Sequence, residues 1–149
     1  MLIFSKPARN PNAVIKTPSL YKLGVCLVYE ALVVIALCFA CALIFIWLVG
    51  DATQGTKRYV LQLFLWVFSG TYFVWCWHKG GQTLAMQSWR LKLTNKHDEL
   101  LTLKLAIARY ILATASLMLF GIGFLWAIFD PDHLFLHDRL LKTHIVSNA

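Results

Sequence analysis

The feature that most constrains this chain is the run from Leu23 to Val49, which carries one formal charge, Glu30. A helix rises about 1.5 Å per residue and needs about 20 apolar residues to cross the hydrocarbon of a bilayer. This run exceeds that length. Two more follow: Tyr59 to Trp77, with no charge, and Leu105 to Phe129, with Arg109 near its start. The 149 residues suffice for one domain, and 59% of them are apolar while 14% are charged. So short a chain cannot hide that much apolar surface in its own core, and lipid is the natural solvent for the excess.

The segments between the runs set the organisation. Residues 1–19 hold Pro7, Pro11 and Pro18 with Lys6, Arg9 and Lys16 and no acid, and read as a basic cytoplasmic arm. The apolar run behind them is too long for a signal-peptide h-region. Ser19 is placed to cap the first helix, and Gly50-Asp51 ends it. The polar stretch 51–58 connects a helical hairpin. Tyr59, Trp66, Tyr72, Trp75 and Trp77 along the second run suit the membrane–water aromatic belt.

Residues 78–104 are polar, basic and broken by Gly80-Gly81. Thr83 can cap a short turn through Gln87. From Ser88 to Thr94 polar and apolar residues alternate, which predicts a strand. Asn95 to Asp98 reads as a turn, with Asp98 capping a helix from Glu99 on which Leu100, Leu103 and Ile107 recur at helical spacing. The third run is long enough for one full span, and is also compatible with a broken or re-entrant helix bending at Gly121 and Gly123. Asp130-Pro131 ends it, and Thr143 to Val146 is β-prone.

The fold expected is an all-α membrane protein of about three transmembrane helices, with a small cytoplasmic strand and loop element between helices two and three. Short-loop basic residues orient it. Four lie in the arm through Lys22, five in 78–104 and two in 51–58, which puts the arm and the second loop in the cytoplasm.

The net charge of +7 does not point to nucleic acid, because the basic residues flank apolar runs and form no reading module. Lys79, Arg90, Lys92 and Lys96, with His78, form a juxtamembrane surface suited to anionic lipid head groups. Cys26, Cys38, Cys41 and Cys76 all lie in apolar runs. Cys38 and Cys41 make a C-x-x-C without a second pair or a nearby His, so they read as small packing residues and not as a metal or redox site. No nucleophile with a positioned base and no phosphate-cradling loop is visible, so no enzyme, metal or cofactor is expected.

Glu30 stands out. It lies eight positions after Lys22, roughly 12 Å along a helix, which is too far for a direct pair, on a face shared with Cys26 and Tyr29. A carboxylate at that depth must pair, reach water or take a proton. Arg109 is its natural partner. A Glu30–Arg109 bond would either fix how helices one and three pack or form an ion- or proton-coupling site. His137-Asp138-Arg139 is a second polar knot, read chiefly as a solvated or capping cluster.

Four stretches in order, LYKLGVCLVYEAL (20–32), GGQTLAMQSWRLKL (80–93), Ala108-Arg109 and LHDRLLKTHIV (136–146), resemble the RDD family of small prokaryotic membrane proteins. That resemblance covers an RDD-like membrane domain over 20–146 and leaves 147–149 as a tail. It departs from the pattern at Lys22, where the family has arginine, at Glu30, where it has aspartate, and at Ala85-Met86 in the loop. Lysine presents a point charge and not a planar fork. The late aspartate matches as Asp138. The resemblance implies a multi-pass protein of the bacterial cytoplasmic (inner) membrane. Some members are proposed cation/proton antiporters, so it implies ion or solute transport with Lys22, Glu30, Arg109 and Asp138 as the polar core. The alternative is a non-transporting scaffold or accessory subunit. Three helices enclose little room, so a homo-oligomer or a membrane-protein partner is expected. The family pattern also suggests that Thr143–Val146 pairs with Trp89–Leu93, which requires the tail to return to the cytoplasmic face.

Overall fold

The computed structural model describes residues 17–147. Most of the expected basic arm therefore lies outside the described residues, as do the last two residues of the tail.

Helix α1 (Leu20–Val49) begins at Ser19, whose side chain accepts the Lys22 N–H, and ends at Gly50 with φ +86°. Its 30 residues extend roughly 45 Å. Asp51 accepts from both the backbone N–H and the hydroxyl of Thr53, tightening the turn into helix α2 (Gly55–Lys79). Both helices are long and apolar enough to cross a membrane. Beyond Glu30 their outer surfaces are apolar: Phe39, Leu43 and Trp47 on α1 and Leu63 and Val67 on α2 are exposed. A patch of that extent is tolerated in lipid and not in water. Cys38 meets Ser69 of α2 at 3.3 Å, so the C-x-x-C contributes a helix contact.

The loop after α2 is shaped by Gly81. Its φ is +67°, and a Cβ there would meet Leu100 at 2.8 Å and the Leu93 carbonyl oxygen at 3.0 Å. Thr83 caps the short helix α3 (Leu84–Ser88) through the Met86 N–H. Strand β1 (Leu91–Asn95) starts later than the alternation predicts, because Trp89 ends α3 and Arg90 takes φ +53°. The next helix also starts later. Residues 99–102 are not helical, and Thr102, not Asp98, caps α4 (Leu103–Met118).

The third run is broken. Helix α4 and helix α5 (Ile122–Phe129) meet at 93° across Leu119–Gly121. Gly121 has φ +71°, and Gly123 sits where a Cβ would fall 1.9 Å from the Ser116 hydroxyl. The chain then forms helix α6 (Leu136–Leu141) and strand β2 (Thr143–Ser147), which runs into the tail. Strand β2 pairs antiparallel with β1, with Leu91 opposite Ser147 and Asn95 opposite Thr143. The expected pairing of the tail with the loop strand is present. The broken helix reconciles it with the third apolar run, which leaves the sheet and comes back to it.

An isolated two-stranded ribbon is marginal. This one is held by its inner face, where Leu91, Leu93 and Ile145 join a core with Leu23, Trp77 and Ala106. The Gln82 side chain also donates to the Leu91 carbonyl, and the Leu93 N–H donates to the Gly81 carbonyl. The packed core thus lies at the sheet end of the helices and not along their length. The protein is a mostly helical membrane protein with a small sheet between and beyond its helices. It has two helices long enough to cross, or three if α4 and α5 count as one span.

Candidate functional site

The sheet end holds nearly all the buried charge. Arg109 lies in the second turn of α4 and is 5% exposed. Its Nε donates to Asp138 Oδ1 at 2.7 Å and its Nη2 donates to Oδ2 at 3.2 Å, a two-point fork on a carboxylate that is 1% exposed. The Thr143 hydroxyl donates to Asp138 Oδ1 at 2.9 Å, and the guanidinium lies 4.3 Å from the Trp77 ring centroid. Both Asp138 oxygens therefore accept, and the two charges offset each other. Removing one partner of such a pair typically costs about 3–5 kcal/mol, because the other charge is then buried alone.

This corrects the expected Glu30–Arg109 bond. Among the described residues Arg109 forms its ion pair with Asp138, not with Glu30. The reason is topological: α6 packs against α4, and Asp138 lies in α6. Asp138 is accordingly no solvated cluster. Arg139 turns away from it and pairs with Asp130, which also accepts the Leu134 N–H at 3.1 Å. Trp77 is likewise not a belt residue, since it is 5% exposed beneath Arg109, whereas Trp75 and Tyr59 face outward.

Glu30 is held differently. Its Oε2 accepts from the Thr83 hydroxyl, the same group that caps α3, so the acid ties α1 to the glycine loop. Its Oε1 is buried and finds no hydrogen-bond partner among the described residues. The buried face of α1 runs through Leu23 and Cys26; Tyr29, expected on that face, is 46% exposed. Lys22 is half-buried one turn before Cys26, and among the described residues its side chain forms no ion pair with Glu30.

Glu30, Arg109 and His137 line one end of a cleft of about 770 Å³ between α1 and the α4–α5 arm, floored by α2. The rest of the lining is apolar, including Val34, Phe73, Leu117 and Phe124. His137 is 2% exposed, with its ring against Phe124 and Phe135. Burial, the dominant cause, pushes its imidazole down to about 4; nearby Arg109 acts in the same direction and Asp138 opposes both. His137 is therefore neutral at pH 7, and its Nδ1 is buried without a hydrogen-bond partner among the described residues.

Of the basic surface residues, Lys79, Arg90 and Lys96 are exposed and Lys92 is half-buried on β1. The Lys79 ammonium lies 5.6 Å from the Trp75 ring. Lys96 borders a second hollow of about 360 Å³ with Arg139, Lys142 and His144.

Thr83, Thr143 and Trp77 are the functional neighbours that sequence spacing did not assign to the site. Only Thr83 left a signal, its capping position before Leu84.

No curated protein and no solved structure matches the chain. The model of the RDD family matches residues 24–142, a stretch that includes Glu30, the glycine loop, Arg109 and Asp138 and begins just after Lys22. The chain belongs to the RDD family.

Proposed function

We propose that this protein is a non-enzymatic, proton-coupled cation transporter in which Glu30 is the coupling group. The observation behind this reading is the half-satisfied carboxylate. One oxygen is fixed by Thr83, and the other is buried, has no hydrogen-bond partner among the described residues, and belongs to a side chain on the wall of a cleft. A carboxylate in that position must pair, reach water or take up a proton, and one that takes up a proton or a cation reversibly can couple the two. The Arg109–Asp138 pair is already neutral and serves as the frame.

The reading includes a topology. Helices α1 and α2 cross the bacterial inner membrane, and α4–α5 is re-entrant. Both strands, and hence the N-terminal arm and the C-terminus, then lie in the cytoplasm. Pairing of β1 with β2 across the third apolar run supports this, as does the basic loop. In this arrangement Lys79, Arg90, Lys92 and Lys96 face anionic lipid head groups. Two crossings and a half-helix do not close a path, so the working unit is a homo-oligomer or a complex with a membrane partner. Nucleic acid has no part in it.

The Glu30–Thr83 bond favours a second reading, a scaffold in which Glu30 only anchors α1 to the loop. Proton flux driven by sodium, potassium, lithium or tetramethylammonium gradients in proteoliposomes separates the two. Flux in the parent that disappears in a folded Glu30→Gln variant supports exchange. No flux in the parent with any of these cations sinks exchange and leaves the scaffold.

A further inference from the structure

We propose that the cleft binds an organic ammonium ion with an apolar tail, its N–H groups donating to Glu30. The inference rests on the transport reading for its biological sense and on the cleft alone for its chemistry. The volume of about 770 Å³ is that of a site for a drug-sized molecule and far exceeds the need of a bare ion.

Its charge balance selects a cation. Arg109 is neutralised by Asp138, His137 is uncharged at pH 7, and Glu30 is the remaining charge on the lining. Its hydrogen-bonding balance selects an N–H donor. Glu30 Oε1 is an unmet acceptor.

An inorganic cation is served less well. It needs about six oxygens. Apart from Glu30, the lining side chains offer three oxygens, on Ser69, Tyr110 and Thr114. The remaining lining is suited to a hydrocarbon or aromatic tail, with Trp66, Phe73 and Tyr110 presenting rings.

The test uses 4-phenylbutylammonium chloride as the probe, titrated calorimetrically into the full chain in phosphatidylcholine nanodiscs, with empty nanodiscs subtracted. The neutral 4-phenylbutanol is run beside it. Saturable binding of the ammonium is expected, roughly tenfold to a hundredfold tighter than the alcohol and weakened by a similar factor in Glu30→Gln. Ala113→Phe, which fills the apolar part of the cleft and leaves Glu30 and Thr83 in place, should abolish it. Equal binding of ammonium and alcohol to the parent overturns the proposal, because the cleft is then a plain apolar pocket for lipid. Undiminished binding in both variants overturns it too, and so does no binding at all. Ammonium binding without proton flux would keep this site and reject transport, whereas alkali-cation flux without ammonium binding would do the reverse.

Discussion

Two acids within the same helical frame are treated in opposite ways. Asp138 is fully buried and fully used: it takes a two-point fork from Arg109 and a hydroxyl from Thr143. Glu30 is half-buried and half-used, with one oxygen on Thr83 and the other unpartnered at the wall of a cleft. A satisfied buried pair fixes geometry, and altering it unfolds what it fixes. An unsatisfied group is costly to the fold, and a costly group that persists invites a functional reading. On the proposed reading Asp138 belongs to a frame and Glu30 is the working group.

The contrast is sharpened most strongly from the frame side. Asp138→Ala strands the Arg109 guanidinium and should lower stability by about 3–5 kcal/mol, read as a fall in apparent Tm in mild detergent or as loss of the monodisperse protein. A drop no larger than that of a surface substitution would remove Asp138 from the frame.

Next in size is the pH dependence of the same region. The unfolded chain binds a proton on His137 near 6.5 and the folded chain only near pH 4. Between those values the unfolded state holds more protons, so stability rises with pH. It should be complete above about 6.5 and fall by roughly 3 kcal/mol as pH drops to about 4. Unfolding measured across that window should lose this component of the slope in His137→Gln.

The loop that carries Thr83 to Glu30 gives a smaller effect. Gly81→Ala forces φ +67° on an L side chain and presses a methyl against Leu100 and the Leu93 carbonyl. A loss of about 1–3 kcal/mol is expected, seen as a lowered Tm. The surface charges come last. Changing Lys79, Arg90, Lys92 and Lys96 to Gln should weaken retention of anionic lipid by about 1 kcal/mol per charge, counted from the lipid that co-purifies, and leave the melting temperature nearly unchanged.

Much of this was legible in the sequence, for physical reasons. A long apolar stretch has few solutions in lipid, so α1 and α2 could be read from their residues, as could the caps at Ser19 and Thr83. The strand pairing followed from the family pattern and from β-prone residues at both ends of the third run. What periodicity could not supply was partner choice. Arg109 sits at a depth suited to Glu30, and nothing local distinguishes that acid from Asp138, 29 residues away. The answer lies in the bend between Leu119 and Gly121, which sends the chain back to the sheet and delivers Asp138 to the guanidinium. Glycines at 121 and 123 permit the bend, but apolar composition alone is equally consistent with a straight span. The strand start failed for a smaller reason: alternation continues through Trp89 and Arg90, while Arg90 adopts a positive φ that ends the preceding turn.

The most direct test of the division between frame and working group is the apparent melting temperature of Glu30→Gln beside Asp138→Asn in one detergent. Gln at position 30 keeps an acceptor for Thr83, so its Tm should stay within a few degrees of the parent, whereas Asp138→Asn should melt far lower. If Glu30→Gln is destabilised as much as Asp138→Asn, Glu30 belongs to the frame and the proposed coupling role falls.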